Sequence, residues 1–144
     1  MCAQTRHVSE NMAIPGPATA VWALLGDFNG LYRWHPAVVD SQLEGERTQP
    51  GSLRTLTLAD GAKLQEALIS LDDTNMHYRY RITAGPLPIR EYESEIAITD
   101  DGNGHCTVSW QSSFQANGVP AGDAEQIVRD IYRSGLQQLA ALFS

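Results

Sequence analysis

Met76-His77-Tyr78-Arg79-Tyr80-Arg81-Ile82-Thr83 and Glu91-Tyr92-Glu93-Ser94-Glu95-Ile96-Ala97-Ile98-Thr99 both alternate charged and apolar side chains with a period of two. A strand sends successive side chains to opposite faces, so each run predicts a strand with one solvated and one packed face. Laid antiparallel, the pair sets His77, Arg79 and Arg81 opposite Glu91, Glu93 and Glu95. Such a cross-strand ladder belongs on the surface, where each pair contributes roughly 0.2–1 kcal/mol. The other face sets Tyr78, Tyr80 and Ile82 opposite Tyr92, Ser94 and Ile96. Buried phenols want hydrogen-bond partners, so this face differs from a purely structural core of aliphatics. Trp110 and Phe114 on a later run share its parity, which gives an aromatic-rich concavity with polar tips, as small-molecule pockets have. The alternative is a filled core whose tyrosine hydroxyls reach its rim.

Working outward, the same period predicts strands over about 38–46, 52–59, 63–71 and 105–116, with Thr5–Ile14 as the first strand of about seven. Asp60-Gly61, Asp72 to Asn75 and Asp101 to Gly104 supply the turn chemistry of an antiparallel meander. A two-residue Asp60-Gly61 hairpin would pair Ala59 with Ala62 and put Arg54 and Glu66 on opposite faces. Both point inward only if the register shifts by one. Between the first two strands, Pro17 opens a short helix carrying Val21, Leu24, Leu25 and Phe28 on one side and ending near Gly26. Leu31 to His35 adds a helical turn before Pro36. Asn117 to Gly122 breaks the last strand. Asp123 to Phe143 then repeats Ile127, Val128, Ile131, Tyr132, Gly135, Leu139 and Leu142 as one broad stripe, with Arg129, Arg133 and Gln137 opposite. This is an α+β layout in which the sheet curls around a long C-terminal helix.

With 144 residues, two independent cores would each be too small, so a single domain over 1–144 is expected. A charged share of 19% beside 42% apolar residues reads as globular. A formal charge of −7 repels phosphate backbones and anionic leaflets, which argues against nucleic acid and membrane surfaces as partners. Cys2 and Cys106 support neither a disulfide framework nor a thiolate metal site, and the N-terminal run lacks an apolar leader segment, so a cytoplasmic protein is expected. His7, His35, His77 and His105 show no metal-ligand spacing; His35 reads as a capping or packing residue, with a place near a pocket mouth as the alternative. With no nucleophile elbow, P-loop or dinucleotide fingerprint either, neither metal nor cofactor is expected.

Pro17-Ala18-Thr19-Ala20-Val21-Trp22, Trp34-His35-Pro36, Gly51-Ser52-Leu53-Arg54, Glu66-Ala67-Leu68 before Asp72-Asp73, Tyr78 to Ile82 and Gly85-Pro86-Leu87-Pro88 stand in an order that resembles the polyketide cyclase/dehydrase branch of the START-like (SRPBCC) superfamily. That resemblance covers nearly the whole chain. It implies the helix-grip fold, with a cavity for apolar ligands between sheet and C-terminal helix, and abscisic acid receptors and pollen allergens as more distant relatives. By similarity to the receptors, Glu66 faces the cavity with Tyr80, Ile82, Tyr92 and Ser94. The same correspondence points Ile127, Ile131 and Gly135 of the helix inward, opposite Arg54, Leu56 and Leu58. The receptors' gating loop corresponds here to the short Ala59-Asp60-Gly61-Ala62 connection, which argues against a hormone-receptor gate.

Two aromatic positions and a loop complete the candidate site. Trp34 is expected to wall one end of the cavity and Trp110 to lie inside it, while Trp22 reads as packing. The stiff loop Ala84 to Arg90, with exposed-looking Leu87 and Ile89, reads as a lid at the mouth or as a small subunit contact. The leading expectation is a carrier or sensor, monomer or homodimer, that buries a small apolar or aromatic molecule against Tyr80, Tyr92, Trp110 and the helix stripe while Glu66, joined by Arg54 if it faces inward, orients one polar group. The alternatives are a cyclase- or dehydratase-like enzyme using Glu66 or a tyrosine as acid or base, and a protein-interaction domain with a filled core.

Overall fold

The computed structural model describes residues 4–144, so Cys2 lies outside the described part. Its elements are β1 (Arg6–Ile14), α1 (Ala18–Leu25), a 3₁₀ turn (Leu31–Arg33), β2 (Val38–Glu44), β3 (Leu53–Leu58), β4 (Lys63–Asp72), β5 (His77–Ala84), β6 (Ile89–Asp100), β7 (Cys106–Ala116) and α2 (Ala121–Leu142). The strands form one antiparallel sheet in the order β1-β7-β6-β5-β4-β3-β2. From β2 to β7 it is a meander, and β1 closes on β7, pairing Arg6 with Phe114 through Ile14 with Cys106. The two short helical segments after the first strand also stand where the sequence puts them.

The register at the centre follows from the alternation: Arg79 faces Glu95, Tyr80 faces Ser94 and Arg81 faces Glu93. The expected charge ladder is only partly realised. Arg79 reaches Glu93 at 3.4 Å and Glu95 at 3.9 Å, but His77 lies across from Ala97 and is nearest Asp72, at 3.8 Å. Glu91 drops out because it sits in a β-bulge with φ +52°, where the β6–β7 register shifts between Arg90 and Glu93. The bulge also corrects the reading of Ile89, which is buried as the first residue of β6 and not an exposed loop tip.

The β3–β4 connection settles the conflict over Arg54. Leu58 N–H donates to the Ala62 carbonyl at 2.8 Å, and Ala59, Asp60 and Gly61 form a three-residue loop rather than a two-residue one. Gly61 takes φ +89°, open to glycine at no steric cost, while Asp60 Oδ1 accepts from Ala62 N–H at 2.9 Å. The extra loop residue shifts the register by one, so Arg54 stands directly opposite Glu66 and both face inward.

α2 starts at Ala121, behind Pro120, and buries Ala124, Val128, Tyr132, Leu136 and Leu139 against the sheet, chiefly over β1 and β7. Leu142, expected on this stripe, is 49% exposed. Helical spacing carries the stripe from Leu139 to Phe143, which packs on Gly16 instead. Trp22 is a packing residue whose indole N–H donates to Asp73 at 2.9 Å. Among the described residues no helix is long and apolar enough to cross a membrane.

Candidate functional site

Between the inner face of β3 to β7 and α2 lies a cavity of about 280 Å³. Its side chains are graded. Half-buried Leu58, Ile82, Leu87, Ile127 and Ile131 form an apolar rim, whereas buried His35, Glu66, Tyr80, Tyr92, Trp110 and Tyr132 form a floor with polar tips. The rim residues lie near strand ends, in the 84–90 loop and on the first half of α2; the floor comes from β4 to β7, from His35 after the 3₁₀ turn and from Tyr132 of α2.

At one side of the floor Arg54 is 0% exposed and Glu66 4%. Arg54 Nε–H donates to Glu66 Oε1 at 2.9 Å, and Nη1–H donates to the Phe28 carbonyl at 2.7 Å. Nη2 lies 2.8 Å from the same Oε1 in a geometry too poor for a hydrogen bond, so it adds charge attraction alone. The guanidinium also lies over the Phe28 ring at 4.1 Å and the Tyr80 ring at 5.0 Å. Burial holds the Glu66 carboxyl above its ordinary value, against the downward pull of the adjacent guanidinium. A guanidinium does not deprotonate in a protein, and a neutral Glu66 would leave it without its contacting counter-charge, so the pair is ionised at neutral pH.

The rest of the floor is one hydrogen-bonded chain. Ser94 donates its proton to the Gln111 carbonyl at 2.9 Å and meets the Tyr132 hydroxyl at 3.1 Å. Tyr132 bonds Tyr92, and Tyr92 bonds Tyr80 at 3.2 Å. Trp110 N–H divides its donation between Tyr80 and Ser94, at 3.1 Å each, while its ring stacks on Tyr132 at 4.3 Å. Burial raises every one of these phenols, Tyr132 up to about 12 and Tyr80 and Tyr92 well above the ordinary range, so all three are neutral.

His35 ties the 3₁₀ turn to the helix. Its Nδ1 accepts from Ala37 N–H at 3.1 Å, which leaves the proton on Nε2, donated to the Ile131 carbonyl at 2.8 Å. Gly135 makes the approach possible, since a Cβ there would stand 2.6 Å from His35 Cδ2 and 3.1 Å from the Trp110 ring.

Residues 5–144 match the family described as polyketide cyclase / dehydrase and lipid transport. The chain belongs to that family. Among solved structures it is similar to an uncharacterised protein from Bacillus thuringiensis, at 30% identity and TM-score 0.90 over 96% of this chain and 98% of that one. It is also similar to the protein XoxI from Bacillus cereus, at 30% identity and TM-score 0.89 over 95% and 94%. A Thermobifida fusca protein matches at 28% identity and TM-score 0.85 over 95% and 92%. No curated protein matches the chain. The fold is therefore the helix grip that the sequence resemblance implies.

Against this family background the expected site residues divide into two groups. Leu56, Leu58, Glu66, Tyr80, Ile82, Leu87, Tyr92, Trp110, Ile127 and Ile131 line the cavity. Trp34, Arg54, Ser94 and Gly135 do not; each stands behind a lining residue. Trp34, expected as an end wall, is buried 5.7 Å from the Trp110 ring, because the turn before Pro36 swings its neighbour His35 into the cavity instead. Arg54 holds Glu66, Ser94 anchors the phenol chain, and Gly135 admits His35. The sequence reading missed Tyr132 and His35 as floor residues. Tyr132 was visible as the polar-tipped aromatic on the inner stripe of α2, and His35 had no signal beyond its neighbours Trp34 and Pro36.

Proposed function

We propose that this chain binds one small apolar or aromatic molecule in the cavity, as a carrier or sensor. The family is associated with polyketide cyclase/dehydrase activity and lipid transport, both of which need such a site. One observation carries the reading: the cavity wall is almost wholly apolar, with half-buried side chains at its rim and buried, polar-tipped side chains at its floor. An aromatic or short aliphatic body gains burial at the rim, at about 25 cal/mol per Å² of apolar surface, while a single polar group meets the floor. About 280 Å³ stands at the small end of ligand sites, which favours compact molecules over long lipid chains.

Native mass spectrometry of gently purified protein, with extraction of anything bound, tests this. A stoichiometric apolar adduct supports the reading. A clean mass together with no thermal shift across an aromatic and lipid panel moves the weight to a protein-interaction domain. A second reading, a cyclase- or dehydratase-like enzyme, draws on the buried carboxylate of Glu66 at the cavity floor, a candidate proton acceptor. Glu66→Gln separates the two: retained binding with lost turnover favours the enzyme, and an effect on affinity alone favours the carrier.

A further inference from the structure

We infer that the ligand is held by a hydrogen-bond donor of its own, a hydroxyl or amine group, and that the site discriminates against carbonyl and carboxylate groups. This inference rests on the binding reading above and adds the chemistry of the ligand's polar end.

It comes from following each side-chain proton of the floor to its acceptor. A carbonyl oxygen only accepts, so the single Ser94 proton is committed to Gln111. Tyr132 must then donate to Ser94, Tyr92 to Tyr132, and Tyr80 to Tyr92. Trp110 N–H is spent on Tyr80 and Ser94, and His35 Nε2–H on Ile131. Every neutral polar side chain of the lining thus turns its proton into the protein wall, and the chain ends on Tyr80, whose oxygen keeps acceptor capacity.

Glu66 points the same way. Only Oε1 is engaged by Arg54; Oε2 takes no hydrogen bond from any described residue, and it is not among the buried polar atoms sealed off without a partner. An ionised carboxylate has acceptors alone. The cavity wall is almost wholly apolar, and the small polar surface that the floor adds to it is acceptor, with no side-chain proton to give. A ligand hydroxyl or ammonium group satisfies that acceptor. A ketone oxygen or carboxylate would face acceptors with acceptors, and the carboxylate would add like-charge repulsion.

The test is calorimetric titration of the intact protein with 2-naphthol, 2-methoxynaphthalene, 2-acetylnaphthalene and 2-naphthoate, which share one apolar body. A hydrogen bond to a charged acceptor predicts that 2-naphthol binds about tenfold or more tighter than the methoxy and acetyl compounds. Naphthoate should give no detectable heat. Acetylnaphthalene or naphthoate binding as tightly as 2-naphthol overturns the inference while leaving the cavity reading intact. Silence from all four overturns both. Glu66→Gln, which supplies amide protons, should bring the naphthol and acetyl affinities together. Where that variant fails to fold because Arg54 loses its counter-charge, Tyr80→Phe leaves the ion pair in place and should narrow the naphthol preference several-fold. An unchanged preference in a folded Glu66→Gln protein contradicts the inference.

Discussion

At the scale of the residue, Arg54 and Glu66 show how much a buried charge depends on its partner. The guanidinium has no exposed surface, so removing the carboxylate strands a charge in the core. Glu66→Ala is expected to cost about 3–5 kcal/mol in urea unfolding. The double replacement Arg54→Met/Glu66→Leu should cost clearly less than Glu66→Ala, because no lone charge remains; a larger loss in the double variant would show that the pair is not the source of the penalty. Gly135 sets a second contest. An alanine there gains about 1 kcal/mol of helix propensity but drives a Cβ to 2.6 Å from the His35 ring. Overpacking of this kind costs typically 1–3 kcal/mol, so Gly135→Ala should lower the thermal midpoint. Family resemblance brought Glu66 inward on sequence alone. Arg54 stayed ambiguous there, because its face hung on one residue of loop length.

His35 supplies the pH dependence. Burial holds its imidazole below the ordinary histidine value, so below about pH 6.5 the unfolded chain takes up a proton that the folded chain refuses. More protons on the unfolded state mean that stability rises with pH, and this contribution is lost as pH falls. Protonation would also put a hydrogen on Nδ1, where Ala37 N–H now donates. The urea midpoint should therefore fall between pH 7 and 5, and His35→Asn should flatten that slope. Parallel slopes in the two proteins would rule out His35 as the group responsible.

At the scale of the element, the β3–β4 loop governs which charges the sheet buries. Gly61 sits at φ +89°, where a side chain costs roughly 1–2 kcal/mol, so Gly61→Val should be destabilising even though nothing touches that position. Deleting Asp60 to leave a two-residue hairpin is expected to be far worse. It flips the parity of one strand and turns either Arg54 or Glu66 to solvent, which hydrogen exchange across β3 and β4 would register as lost protection. Strand periods and turn residues made all the strands readable, and α2 was clear from its stripe. What escaped were single-residue adjustments: the third loop residue, the bulge at Glu91, and the shift of the stripe from Leu142 to Phe143. Each depends on tertiary contact that a periodic pattern averages away.

At the scale of the whole molecule, the sheet and helix make a grip around an almost wholly apolar cavity, with half-buried side chains at its rim and polar-tipped ones at its floor. Alternation along β5 and β6 put Tyr80, Tyr92 and Ser94 on the inner face, but it could not distinguish a residue that lines the cavity from one that stands behind it. That distinction is one of depth, set by how Trp34, Trp110 and Tyr132 stack across elements far apart in the chain. The central claim is that a small molecule occupies this space, and methyl-resolved NMR of the protein titrated with 2-naphthol tests it most directly. The account predicts ligand contacts and saturable shifts at Leu58, Ile82, Leu87, Ile127 and Ile131, with the outer-face methyls of Val39 and Thr107 unmoved. Shifts confined to the outer face, or no saturable shift at the rim, would contradict it.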